Sequence, residues 1–151
     1  MDGRNQARSD VLGWWHTVLV VDDDPHTLHA LRRLLRQEPY DLLAADRPRL
    51  VLDWMGRRDV SLVLADRRMP EMAGDRFLEE VWKRSPTTIG VILTAHPGDD
   101  PPVPGGGRRP RCRIDKPWND ERLRLTILRL LLERERVLEE AARPGTGRIS
   151  T

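Results

Sequence analysis

The chain has 151 residues, 38% hydrophobic and 33% charged, with 26 Lys and Arg against 24 Asp and Glu for a formal net charge of +2. That balance predicts one soluble domain with a single core and excludes a membrane-embedded or wholly disordered chain, since no apolar run reaches the roughly 18 residues a bilayer span needs. Acids and bases are interspersed, which speaks against a dedicated nucleic-acid binder, whose bases cluster on one face.

The N-terminus, MDGRNQARSD, is polar and has no apolar stretch of a secretory signal. A lone Cys112 cannot close an internal disulfide, which fits a reducing, cytoplasmic location. Residues 1–16 read as an N-terminal tail on which Trp14 and Trp15 can dock, 17–143 as the domain, and 144–151 as a disordered tail. Thr17 to Val21 is an apolar, β-branched run stopped by three aspartates, the pattern of a strand buried on both faces. Pro25 suits a first helical turn, and Leu28, Leu31, Leu34 and Leu35 follow at helical spacing. Tyr40 to Ala45 predicts a second strand, and Pro48 to Arg57 a short helix with Leu50, Val51 and Trp54 as its inner face. Val60 to Ala65 is a third strand ending on Asp66. Gly74 to Arg84 is a helix carrying Phe77, Leu78, Val81 and Trp82, and Ile89 to Leu93 is a fourth strand ending on Thr94. A weaker fifth strand runs through Arg113 and Ile114 toward Lys116.

Strands alternating with helices predict βαβ units and a parallel sheet, an α/β fold. The segment His96 to Pro110 breaks the rhythm with five prolines and four glycines. No stable helix is expected there, since proline costs about 3 kcal/mol and glycine about 1 in a helix interior. The last helix, from about Asp120 to Arg143, would be about 36 Å long. It carries two stripes: Leu123, Ile127, Leu130, Val137 and Ala141, interrupted by Arg134, and Leu128, Leu131, Leu132 and Leu138. One stripe can face the sheet and the other a partner helix, or both can form one wide buried face.

In open α/β sheets ligands bind at the carboxyl ends of the strands. There the sequence delivers Asp22, Asp23 and Asp24 after strand one, Asp66 after strand three, Thr94 after strand four and Lys116 after strand five. Taken singly, these are a solvated turn, a strand-end hydroxyl and a surface lysine. Taken together they are a crevice of carboxylates that a hard cation such as Mg²⁺ would neutralise, leaving coordination positions for phosphate oxygens. A carboxylate there is a candidate nucleophile, an ammonium supplies a point charge for a phosphate oxygen, and a hydroxyl donates to another. Phosphoryl transfer asks for little more than such positioning and charge stabilisation.

The motifs VLVVDDDP (18–25), LVLADRRMPEMAGDRFLEEV (62–81), VILTAHP (91–97) and DKPW (115–118) resemble those of two-component response-regulator receiver domains over about residues 17–143. The resemblance implies a CheY-like, flavodoxin-like doubly wound five-stranded parallel sheet in the order 2-1-3-4-5. It implies that Asp66 is the phosphoacceptor and that Asp22 and Asp23 are the acidic pair, Asp23 binding Mg²⁺ directly and Asp22 largely through water. The backbone carbonyl of Arg68 would complete the protein ligands. Thr94 would be the switch hydroxyl and Lys116 the phosphate-binding lysine, followed by Pro117, often a cis peptide in the family. Asp24 would tune the site, and Arg68 and His96 would set the lifetime of the phosphoryl group. Two departures stand out: Arg113 replaces the usual aromatic three residues before the lysine, and the fourth helix of the family is replaced by the Pro/Gly segment.

The expected function is that of a phosphoacceptor serving a sensor histidine kinase or phosphotransfer protein and signalling to a downstream protein target, with a homodimer through the C-terminal helix as one contact. It is expected to catalyse only its own phosphorylation and dephosphorylation, so it is not an enzyme in the metabolic sense. No partner among nucleic acids or membranes is expected. The alternatives are a phosphorylation-independent interaction scaffold and a Mg²⁺-dependent phosphatase; Arg68, where such phosphatases place a second acid, opposes the latter. Arg108, Arg109, Arg111 and Arg113 are either a contact for an acidic partner or a solvated loop.

Overall fold

A computed structural model describes residues 11–96, 98 and 107–145. Among the described residues nine elements follow in chain order: β1 (Thr17–Val21), α1 (Pro25–Leu35), β2 (Asp41–Ala45), α2 (Pro48–Met55), β3 (Leu62–Asp66), α3 (Gly74–Arg84), β4 (Ile89–Thr94), β5 (Cys112–Asp115) and α4 (Asp120–Ala142). The five strands form one parallel sheet in the order β2-β1-β3-β4-β5, the doubly wound CheY-like topology expected. Of the Pro/Gly segment, residues 97 and 99–106 lie outside the described residues; 96, 98 and 107–110 are not helical.

The continuous apolar runs become the central strands because both faces of the sheet are covered. Val18, Val20, Leu62, Leu64, Val91 and Leu93 face α1 and α4 and pack with Leu31, Leu35, Leu123, Ile127 and Leu131. Leu19, Val21, Val63, Ala65 and Ile92 face the other way, against Val51, Met55, Phe77, Leu78 and Val81 of α2 and α3. Each fully buried Leu, Ile or Phe contributes about 1.5–3 kcal/mol of transfer free energy, so the two-sided core dominates the stability.

Local chemistry sets the helix starts. Asp24 caps α1 by accepting from the His26 amide at 2.9 Å and the Thr27 hydroxyl at 3.1 Å, with Pro25 in the first turn. Asn119 caps α4, accepting from the Arg122 amide at 3.0 Å, and Asp120 and Glu121 sit favourably at the positive end of the helix dipole.

Three expectations change. Leu50 does not belong to the inner face of α2: it is 58% exposed, and the buried residues are Pro48, Val51, Leu52 and Met55. Those four lie at i, i+3, i+4 and i+7 from Pro48, the single stripe that an eight-residue helix presents. On α4 the two proposed stripes do not separate, because Leu131 joins Leu123, Ile127 and Leu130 in the core while Val137 is 62% exposed. Arg134 is no interruption; it is buried and hydrogen-bonded. The outward apolar positions of α4 are Leu125, Leu132 and Val137, with Leu128 half-buried between the first two. In the stretch read as a tail, Leu12 and His16 are buried.

Candidate functional site

The register of the sheet assembles the site. Val21 is paired with Ala65, and Asp66 with Leu93, so Asp22 leaves β1 beside Asp66 leaving β3. Thr94 is paired with Asp115, and the Lys116 amide donates to the Thr94 carbonyl at 2.7 Å. Four strand ends thus meet at one edge, as the sequence predicts. Asp22, Asp23 and Asp66 each offer a carboxylate oxygen within 4.8 Å of the others.

Lys116 ties the edge together. Its ammonium donates to Asp22 Oδ2 at 2.8 Å and to Asp66 Oδ1 at 3.2 Å. Asp22 is fully buried, and its other oxygen accepts the Asp24 amide at 2.9 Å. Asp23 is exposed. Both oxygens of Asp22 are therefore engaged by the protein, whereas Asp23 presents its carboxylate to solvent. Asp24 is spent on capping α1, and that bond to the His26 amide lowers its pKa. Thr94 is buried, and its hydroxyl accepts from the His96 amide at 3.1 Å. Arg68 and His96 are exposed. The Lys116–Pro117 peptide is cis, as the resemblance implies.

Charge is unbalanced here. Burial raises the pKa of Asp66, the neighbouring Asp22 carboxylate raises it further, and Lys116 works against both. For Lys116, burial alone would lower the pKa, but the hydrogen bond and charge of Asp22, with those of Asp66, outweigh it and raise it. One ammonium faces three carboxylates, two of them buried. That donor set fits a hard, oxygen-seeking divalent cation, with Asp23 the carboxylate least committed to the protein.

The loop after β3 is shaped for close approach. A Cβ at Gly74 would lie 2.3 Å from the Asp66 carbonyl oxygen, so only glycine permits the start of α3 to press on the end of β3. The Gly74 amide donates to the Arg67 carbonyl at 2.8 Å, and Met69 is buried in the core beneath. Sequence reasoning passed over Arg67, which is buried and lies 3.3 Å from the Asp75 carboxylate, pinning loop to helix. The only signal was an arginine directly after the last strand residue, with an acid at the first turn of the next helix.

Arg113 is exposed on β5 and pairs with Asp115 at 3.1 Å. Arg111 pairs with Glu133 of α4 at 2.8 Å, and Arg108 lies over the Trp82 ring at 4.3 Å. The arginines of this stretch are therefore engaged by their own fold at three places.

Residues 18–128 match the model of the response regulator receiver domain. The chain is 34% identical over 114 residues to the hydrogenase transcriptional regulatory protein HoxA of Cupriavidus necator, a match that covers 74% of this chain and 23% of that protein. It therefore spans less than a quarter of that relative's length. Among solved structures it resembles the signal receiver domain of an HD domain-containing protein from Pseudomonas fluorescens Pf-5 (TM-score 0.72, 25% identity, 82% of this chain and 92% of that one). It also resembles a CheY-like response regulator receiver domain protein from Methanospirillum hungatei JF-1 (TM-score 0.70, 23% identity, 82% and 99%). With its sheet order, its acidic edge and this match over most of its length, the chain belongs to the response regulator receiver domain family.

Proposed function

We propose that the chain accepts a phosphoryl group on Asp66 from a phospho-histidine donor, a sensor histidine kinase or phosphotransfer protein, in a reaction that requires Mg²⁺. The observation that carries this reading is the Lys116 ammonium bridging Asp22 and Asp66 inside a three-carboxylate edge. In the transfer an Asp66 oxygen forms a bond to phosphorus as the phosphorus–imidazole bond breaks, and the donor histidine leaves with the bonding pair and takes up a proton. Asp23, Asp66 and the Arg68 carbonyl would hold the cation, with Asp22 acting through water. The cation would supply positive charge that lets a carboxylate approach an anionic phosphoryl group. Lys116, already beside Asp66, would turn to a phosphate oxygen, and the Thr94 hydroxyl would donate to another.

The chemistry is confined to the chain's own Asp66, so we do not class it as an enzyme. Signalling would proceed by protein contact. Leu125 (55% exposed) and Leu132 (40% exposed), with Leu128 between them, form an outward seam on α4 that fits a second copy of the helix. The described residues contain no helix long and apolar enough to cross a membrane. With the unpaired Cys112, this supports a cytoplasmic setting.

One observation favours a second reading, the phosphorylation-independent scaffold: Arg113 is paired to Asp115 where the family usually carries an aromatic. Intact mass after incubation with acetyl phosphate separates the two. A gain of one phosphoryl group that needs Mg²⁺ and is absent in Asp66→Asn supports phosphoacceptance. No gain with acetyl phosphate or with a cognate kinase leaves the scaffold.

A further inference from the structure

At the opposite, amino-terminal end of the sheet lies a second polar cluster that phosphoacceptance does not use. His16, immediately before β1, is buried. Its Nδ1 is 2.7 Å from Ser61 Oγ and its Nε2 is 2.6 Å from Glu135 Oε2. Glu135 is only 6% exposed, and its carboxylate also accepts the Gly13 amide at 2.9 Å and the Trp14 amide at 3.3 Å. Arg134, likewise 6% exposed, donates to Ser61 Oγ at 3.3 Å, to the Thr87 carbonyl at 3.0 Å and to Asp59 Oδ1 at 3.4 Å. One carboxylate on α4 thus holds three donors of the segment that precedes β1.

Hydrogen-bond accounting selects one tautomer of the neutral imidazole. Ser61 Oγ accepts from the Arg134 guanidinium, which has no acceptor of its own, so the serine proton is free to point at His16 Nδ1. With the Glu135 carboxylate at 2.6 Å, the neutral ring carries its proton on Nε2 and donates it there, which leaves Nδ1 to accept from Ser61. Every ring position is then satisfied, and burial, the largest influence on the ring, favours this neutral form. A proton added to the Nδ1 lone pair would turn it into a donor. Ser61 Oγ would then face two donors, and its own hydrogen would have to turn away toward a buried guanidinium. An unmade bond in such a place is costly.

We propose that this cluster is a proton-operated clasp: the neutral His16 holds residues 11–16 against α4, and protonation of its Nδ1 releases them. The groups facing the ring are Glu135 and Arg134 from α4, Asp59 and Ser61 ahead of β3, Asp41 at the start of β2, whose amide donates to the His16 carbonyl, and the Trp14 ring at 5.7 Å. Burial and Arg134 oppose a charge on the ring, and Glu135 and Asp59 favour it. The net direction is downward from 6.5, so the clasp is closed at neutral pH and opens on the acid side of that value. Opening would expose Leu12 and free the lower half of α4, the part that carries Val137. The clasp is independent of phosphoacceptance, since Asp66 lies at the other end of β3.

The test is amide hydrogen exchange of Gly13 and Trp14 in the full chain between pH 7.5 and 5, corrected for intrinsic rates, alongside the ¹⁵N shifts of the His16 ring. The expected result is an Nε2–H tautomer at neutral pH and protection that falls at least tenfold with a midpoint below 6.5. In His16→Gln, which cannot titrate, protection should not change over this range. Should that variant fail to fold, Ser61→Ala should move the midpoint up, since it removes the donor that favours the neutral ring. Glu135→Gln should move it down. An Nδ1–H tautomer at neutral pH, protection that persists to pH 5, or a midpoint unmoved by these changes overturns the proposal.

Discussion

The two ends of the sheet carry buried polar clusters of opposite design. At the carboxyl end, three carboxylates meet one ammonium, and the cluster opens to solvent through Asp23. At the amino end, His16 sits between the Glu135 carboxylate and the Ser61 hydroxyl, which Arg134 also engages, and the hydroxyl, ring nitrogens and both neighbouring amides have partners. The first arrangement carries more negative than positive charge and offers three carboxylates to a cation; the second is closed. Chemistry belongs where the protein leaves charge uncompensated, and architecture where it does not.

Substitutions at the two ends should therefore have opposite signs. Asp66→Asn should abolish phosphoryl gain altogether, as read by intact mass, while raising stability in a chelator, because it removes one of the mutually repelling carboxylates. The pH dependence follows from the direction of the Asp66 shift. Its folded pKa is raised above 3.8, so the native state binds the proton more readily than the unfolded one. The wild-type deficit relative to Asp66→Asn should be full above the folded pKa and vanish as pH falls toward 3.8. Urea midpoints of the two proteins across pH measure this, and a gap that widens in acid would break the comparison.

Glu135→Ala should do the reverse, leaving phosphorylation with acetyl phosphate in place but destabilising the fold. Removing it strands an imidazole N–H and two amides, at about 1–3 kcal/mol for each buried group left without a partner. Denaturant titration reads the loss directly. If the variant were as stable as wild type, the closed cluster would not be structural.

A smaller effect is expected at Gly74. An added methyl would lie 2.3 Å from the Asp66 carbonyl oxygen, a backbone atom that cannot step aside without moving Asp66. Gly74→Ala should cost about 2 kcal/mol, in the range of overpacked sites, and should also slow phosphorylation. Thermal unfolding and a time course of mass gain test the two parts separately.

The carboxyl-end site was legible because its residues sit directly after apolar runs, where topology alone delivers them to one edge. The sheet order and all nine elements were likewise carried by periodicity and by the motif resemblance. The amino-end cluster was not legible. His16 reads as part of a polar approach to β1, Ser61 as an ordinary strand residue, and Arg134 as a break in an apolar stripe. Their partners are 45 to 119 residues away in sequence, and nothing local marks them. Leu50 misled for the converse reason: on a two-turn helix with apolar residues at 50, 51, 52, 54 and 55, periodicity alone does not choose the face, and the packing against α3 does.

Arg108 offers the finest test of the comparison, because it adds another engaged polar group at the amino end. Its guanidinium stacks on Trp82 at 4.3 Å and donates to the Pro86 carbonyl at 2.7 Å. The indole beneath lies over Gly90, where a Cβ would come within 2.7 Å of the ring, and its N–H donates to the Thr88 carbonyl at 3.0 Å. Glycine on β4, tryptophan on α3 and arginine ahead of β5 thus form one stack that links the end of the Pro/Gly segment to the body of the domain. Arg108→Ala should cost about 1 kcal/mol, the scale of a partly exposed cation–π contact, with no effect on phosphoryl gain. Arg108→Lys should recover only part of that, since an ammonium keeps the charge but loses the planar stack and the forked donors. A loss of phosphorylation in Arg108→Ala would mean that this stack reaches the carboxyl end, and that the two ends of the sheet are coupled through β4 rather than divided between chemistry and architecture.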